Sequence, residues 1–240
     1  MYEIGDDMLV LGSEKDRLAL VENRELLNMA KVGRASTPLD LMTYEPEDGQ
    51  PSIFFLREDQ RQAILTVFNW TNKVRSHTLP LADLGLAAGH TFAATDVLNQ
   101  NETVTIVGGA VWLENQPPQS VRVIKLIDKS LAAAAPTVTA QVPAAANAGE
   151  TIILSALSAQ AEAGGVPAVA YHWDFGDGTS ADSPKVSHAY TRAGEFTIRL
   201  TVDGVDGMPA HQDFSVKVTG NLRAHSNLTD NRRFIEPSDR

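Results

Sequence analysis

Cysteine is absent from all 240 residues, so the chain has neither a disulfide framework nor a thiolate metal site, and redox chemistry gives no clue to its compartment. Positive charge is scarce: 20 Lys and Arg stand against 30 Asp and Glu, a formal net charge of -10. That balance argues against nucleic acid and against docking on anionic lipid. Long apolar runs are missing as well. None approaches the roughly 20 residues that a bilayer crossing needs, so no membrane insertion is expected. The opening residues Met1 to Asp7 are acidic and lack the basic start and apolar stretch of an export signal. We read the chain as cut from a longer precursor. No Gly-x-Ser-x-Gly elbow and no Gly-x-x-x-x-Gly-Lys loop occurs, so neither nucleophilic hydrolysis nor phosphate cradling has support, and no cofactor is implied.

What remains is a length that suits two domains of about 100 to 150 residues. Ser13-Glu14-Lys15-Asp16 offers a capping hydroxyl and an acid three residues on, and Leu18, Leu20 and Val21 follow as an apolar face. Asn23 can cap a second helix over 24–31, with Gly33 ending it in a left-handed turn. From Pro51 the period becomes that of strands: Ile53-Phe54-Phe55-Leu56, a polar turn at Glu58-Asp59-Gln60, Ala63 to Phe68, Thr91-Phe92, Val104 to Val107 and Val121 to Ile127. Pro80, Gly85, Gly89, Gly108-Gly109 and Pro117-Pro118 mark loops between them. Leu131 to Ala135, before Pro136, forms a short linker in which a helix would be marginal.

Strands resume at Val138 to Val142 and Thr151 to Ser155, and close with Phe214 to Val218. About seven strands in roughly 80 residues fit a two-sheet sandwich. The tail beyond Gly220 is polar and is expected to be disordered. The expected division is 1–35, a strand end with two helices; 36–129, an antiparallel β-sandwich; 130–135, a linker; 136–219, a second sandwich; and 220–240, the tail.

Tyr171-His172-Trp173-Asp174-Phe175-Gly176-Asp177-Gly178-Thr179, with His188-x-Tyr190 downstream and the strand Phe196 to Val202, resembles the polycystic-kidney-disease (PKD) repeat. The resemblance implies an immunoglobulin-like module of the kind found on secreted bacterial hydrolases. Upstream, Gly5-Asp6-Asp7-Met8, the run Asp16 to Met29, Ile53 to Arg57 and Leu65 to Trp70 together resemble the C-terminal end of alpha-galactosidase (melibiase) type glycoside hydrolases. That family implies the last strand of a truncated (β/α)₈ barrel, two closing helices and a following sandwich. The overall fold class is therefore mainly β, two antiparallel sandwiches with a short N-terminal helical segment.

A retaining glycosidase needs two carboxyl groups about 5 Å apart, supplied by the ends of several barrel strands. By the resemblance those strands lie upstream, and no residue of this chain matches the nucleophile or the acid/base. The chain alone is expected to be non-catalytic, and its partner is the upstream catalytic barrel of the same polypeptide. Asp6 and Asp7 are candidates for a rim contact to a sugar hydroxyl, or else cap the following turn. Sugar rings stack on exposed aromatic faces, which brings Trp70, Trp112, Trp173, Tyr171 and Tyr190 into consideration. Trp173 lies where such sandwiches bury a tryptophan, and Trp70 follows an alternating strand, so both read as core. Trp112, between two loop markers, is the candidate for carbohydrate or polysaccharide.

Asp174, Asp177 and Asp182 invite calcium superficially, but their spacing is not that of an EF-hand loop. A more economical reading has Asp177-Gly178 building the hairpin turn and Asp174 bonding backbone amides across the loop, with His188 bonding to the turn, so no metal is expected. The leading expectation is a non-catalytic C-terminal part of a secreted glycoside hydrolase, extracellular or periplasmic, whose sandwich stabilises the barrel and whose PKD unit spaces it or attaches it to polysaccharide. The alternative is a stand-alone extracellular binding or adhesion protein. A complete hydrolase using Asp6 and Asp7 is disfavoured, because adjacent side chains on an extended segment point to opposite faces.

Overall fold

In the computed structural model, residues 21–99, 103–157 and 165–220 are described. The expected barrel strand end, Asp6, Asp7 and most of the first helix therefore lie outside the described residues, as does the tail after Gly220. The second helix is α1, Arg24–Val32. Asn23 Oδ1 accepts from the amides of Glu25 and Leu26, and Gly33 closes the helix at φ 67°. The cap is also an anchor, since Asn23 Nδ2 donates to Val97 O at 2.7 Å. A single side chain thus satisfies orphan amides and fixes where the helix starts.

The helix rests on a five-stranded sheet. Its strands are β1 Thr37–Pro38, β2 Ile53–Arg57, β3 Gln62–Asn69, β5 Phe92–Asp96 and β8 Ser120–Asp128, in the order β1-β2-β3-β8-β5 and antiparallel throughout. Against its other face packs a three-stranded sheet of β4 Arg75–Pro80, β7 Ala110–Gln116 and β6 Thr105–Val107. Between the sheets lie Leu65, Val67, Val111, Leu113, Ile124 and Leu126, all fully buried. On the helix side, Leu26 packs with Ile64, Val97 and Val123. Covering both faces explains why β8 is buried almost without interruption rather than at alternate positions.

The second sandwich pairs β10 Ala145–Asn147, β16 Pro209–Thr219, β15 Gly194–Gly204, β12 Ala168–Asp174 and β13 Ser180–Ala181 in one sheet. The other sheet holds β14 Lys185–His188, β11 Ile152–Ala156 and β9 Ala140–Gln141. Trp173, Tyr190, Leu154, Ile198, Leu200 and Val216 fill the space between. The sheets are antiparallel, as expected, except at one edge, where β10 runs parallel to β16. The chain passes from β9 in one sheet to β10 at the edge of the other, and this crossing leaves β10 aligned with β16 instead of opposed to it.

Three strands of the first sandwich went unread in the sequence, the two-residue β1 and the longer β4 and β7. β4 ends at Pro80, which had marked a loop; a proline is tolerated there because the terminal residue need not donate to the ladder. β7 begins directly after Gly108 and Gly109, whose φ values of 60° and 74° make a two-residue hairpin with β6. The linker has no helix.

Candidate functional site

The aromatic candidates separate by burial. Trp173 is fully buried and its indole nitrogen donates to Ser183 O at 3.0 Å. Tyr190 is buried too, with its hydroxyl donating to Phe175 O at 2.9 Å. Burial pushes the Tyr190 phenol up to about 12, with the charges of Asp177 and Asp174 adding to the rise. Trp70 is half-buried, stacked on Phe68 with ring centres 4.4 Å apart and donating to Pro51 O. Trp112 differs from these three. It lies on the outward face of β7, 41% exposed, with its indole nitrogen held by Val107 O at 3.3 Å.

Two of the acidic residues around the Gly-Asp-Gly turn serve the turn. Asp174 Oδ1 accepts from Gly176 N, while Asp177 Oδ1 accepts from both the amide and the hydroxyl of Thr179. The second Asp177 oxygen meets His188 Nε2 at 2.9 Å, and His188 in turn stacks on Phe175. Asp177 is strongly hydrogen-bonded, and despite partial desolvation its carboxyl is held below the usual range by the bonds from Thr179 and His188. Asp182 pairs separately with His172 Nδ1 at 2.6 Å. The three carboxylates therefore point to different partners, and among the described residues no group of His, Asp or Glu could hold a metal ion.

A second group of charges was not foreseen. The β2–β3 turn, read as a polar turn, buries its two acids while Gln60 stays exposed: Glu58 is 0% and Asp59 2% exposed. Its tip faces the β15–β16 hairpin of the other sandwich. Asp206 in that hairpin, with a side chain only 1% exposed, accepts from Arg61 Nη1 and Gln62 Nε2 through one oxygen, each at 2.5 Å. Through the other it accepts from the linker amide of Ala134 at 3.0 Å. Arg61 Nε meanwhile donates to Leu131 O in the same linker. Asp59 Oδ1 is occupied by the amides of Arg61 and Gln62, which shapes the turn so that both side chains reach Asp206.

Glu58 lies beside this junction with neither carboxylate oxygen hydrogen-bonded among the described residues, and it faces Lys125 Nζ at 3.8 Å. Burial pushes its pKa to about 7, against the opposing pull of Lys125 and with help from Asp59, Glu25 and Asp206. A perturbed carboxyl of this kind can mark an active site. Here it has no solvent-accessible surface, so a substrate cannot touch it. The depression between the sandwiches, about 430 Å³, is lined by Glu25, Arg61, Lys125 and Asp206 among others. Its acids are spent on cations: Asp206 on Arg61, and Glu25 on Lys125 at 2.6 Å. The junction is built for attachment rather than for a free acid and nucleophile.

Comparison with known proteins agrees with the second half of this description. Residues 133–218 match the PKD domain family and form a PKD domain. Collagenase ColA of Clostridium perfringens (strain 13 / Type A) is 39% identical over 49 residues, 20% of this chain and 4% of that protein. Polycystin-1 of Homo sapiens is 41% identical over 54 residues, 20% of this chain and 1% of that protein. The chain thus spans only a few per cent of the length of either relative. The crystal structure of the PKD1 domain of Vibrio anguillarum Epp is similar with a TM-score of 0.32 and 24% identity, covering 38% of this chain and all of that one. Among the described residues no helix is long and apolar enough to cross a membrane.

Proposed function

We propose that this chain is a non-catalytic accessory region, a β-sandwich and a PKD domain locked into one rigid spacer that holds a catalytic domain of the same polypeptide at a set distance and orientation. The observation that carries the reading is the Asp206 junction. A linker of small residues between two sandwiches would ordinarily leave them free to rotate. Here one buried carboxylate gathers donors from the first sandwich and from the linker itself, so the linker is pinned instead of loose.

The catalytic partner is, in this proposal, an upstream glycoside hydrolase barrel resembling the alpha-galactosidases, and the location extracellular or periplasmic. Two features favour a preceding domain. Helix α1 is capped onto the sandwich through Asn23 and Val97, giving whatever precedes it a fixed point of departure. Leu39, Leu41 and Met42 lie within four residues of one another and are 40%, 55% and 91% exposed, apolar surface of the kind that a neighbouring domain covers. The rival, a stand-alone adhesion protein of two complete sandwiches, predicts no orphaned apolar face.

Hydrolysis of an aryl alpha-galactoside tests the proposal directly. The chain by itself is expected to be inactive, and the polypeptide extended by the residues encoded upstream is expected to turn the substrate over. Turnover by the chain alone would overturn the accessory reading; an inactive extended polypeptide would remove the alpha-galactosidase-like parent.

A further inference from the structure

We infer that the outward face of the β4-β7-β6 sheet is a carbohydrate-binding surface, with Trp112 as the stacking platform for one pyranose ring of a neutral polysaccharide. The inference deepens the accessory reading and rests on it, because a spacer that also binds glycan would hold its enzyme on substrate.

The argument starts from the strand alternation. In β7, Val111 and Leu113 turn inward to the core, so Trp112 and Glu114 turn outward. Register then places Thr105 on one side of Trp112 and Thr78 on the other, both exposed. An indole flanked by two hydroxyl-bearing side chains on the outer face of a sheet presents a planar apolar face with hydrogen-bonding groups at its margins. Its ring is already fixed by the bond to Val107 O, so little rotational freedom is lost on binding. Alongside it lies an open depression of about 350 Å³ lined by Thr103, Thr105, Val107, Trp112 and Glu114.

Charge selects among planar ligands. None of the five lining residues is basic, and the chain carries a net charge of -10, so a nucleotide or an acidic glycan would be repelled. A neutral sugar meets no such penalty. Its C–H face covers the indole, while its hydroxyls donate to the Glu114 carboxylate and exchange bonds with Thr103 and Thr105.

The experiment is affinity electrophoresis of the full chain through native gels containing galactomannan, and in parallel gels containing beta-glucan or xylan, with Trp112→Ala and Glu114→Gln as variants. Retardation of the wild type in at least one gel is expected, with a loss of about tenfold in affinity for Trp112→Ala and a smaller loss for Glu114→Gln. Because Trp112 is on the surface, circular dichroism of both variants should match the wild type, so a folding defect is not confused with lost binding. In the wild type, sugar binding should also shift the intrinsic fluorescence, a change that Trp112→Phe abolishes. Equal retardation of wild type and Trp112→Ala would overturn this site while leaving the accessory reading intact. No retardation in any gel would overturn glycan binding altogether, and neither result bears on whether the extended polypeptide hydrolyses an aryl galactoside.

Discussion

Asp206 and Arg61 are 145 positions apart in the chain and 2.5 Å apart in the structure, joined across the two sandwiches by a carboxylate that is almost wholly buried. Removing one partner of such a pair leaves the other desolvated and unpaired, which costs about 3 kcal/mol. Asp206→Ala is therefore expected to uncouple the sandwiches: calorimetry should resolve two unfolding transitions in place of one, and small-angle scattering should show a larger radius of gyration. A single unchanged transition in the variant would show that the junction does not couple them.

Glu58 gives the molecule a pH dependence opposite to that of an ordinary surface acid. Its folded pKa of about 7 exceeds the unfolded 4.5, so between these values the folded state holds the extra proton. Stability contributed by that proton is lost as pH rises through this window, by at most about 3 kcal/mol. Urea unfolding of the wild type from pH 4.5 to 8 should show the decline, and Glu58→Gln should flatten it. A Glu58→Gln variant with the same pH dependence as the wild type would contradict the burial of this group.

Among the described glycines, Gly176 is the least able to accept a side chain. Its φ is +75°, and a Cβ there would come within 2.4 Å of Thr197 O, a backbone atom that cannot yield cheaply. Gly176→Ala should cost about 2 to 4 kcal/mol. Gly178 also has positive φ, but with open space around it the corresponding change should cost only about 1 kcal/mol. Chemical denaturation of the two variants compares them, and equal midpoints would rule out the steric component.

Tyr190 links the turn to the second core. Its phenol, raised to about 12 chiefly by burial, contributes stability that is intact below the unfolded pKa of 10.0 and lost as pH climbs toward 12. Alkaline unfolding of Tyr190→Phe should lack this component. At neutral pH the same variant should lose about 1 kcal/mol, the net worth of the hydroxyl bond to Phe175 O. A variant as stable as the wild type would mean that the bond is not made in solution.

Much of the fold was legible because it depends on local rules. Asn23 and Gly33 bound α1 by chemistry that needs no distant partner. The alternating runs at Ile53, Ala63, Val121 and Phe196 became β2, β3, β8 and β15, and the Gly-Asp-Gly turn pointed to the PKD domain. β4 escaped because its run Arg75-Ser76-His77-Thr78 carries too few apolar residues to register as a strand, although Leu79 and the sheet above it hold it in place. Its place between two loop markers made Trp112 a candidate, but only the pairing of β6, β7 and β4 set it outward between Thr105 and Thr78.

The sequence alone determined which residues cap, turn and alternate, and hence that two sandwiches form, since those preferences act between neighbours in the chain. Only the tertiary structure decided that Glu58 and Asp59 of a polar turn would be buried, and that the featureless linker would be held by Asp206. A charge carries no mark of what will later press against it. Its meaning is fixed when two hairpin tips from opposite halves of the chain close on each other and exclude water.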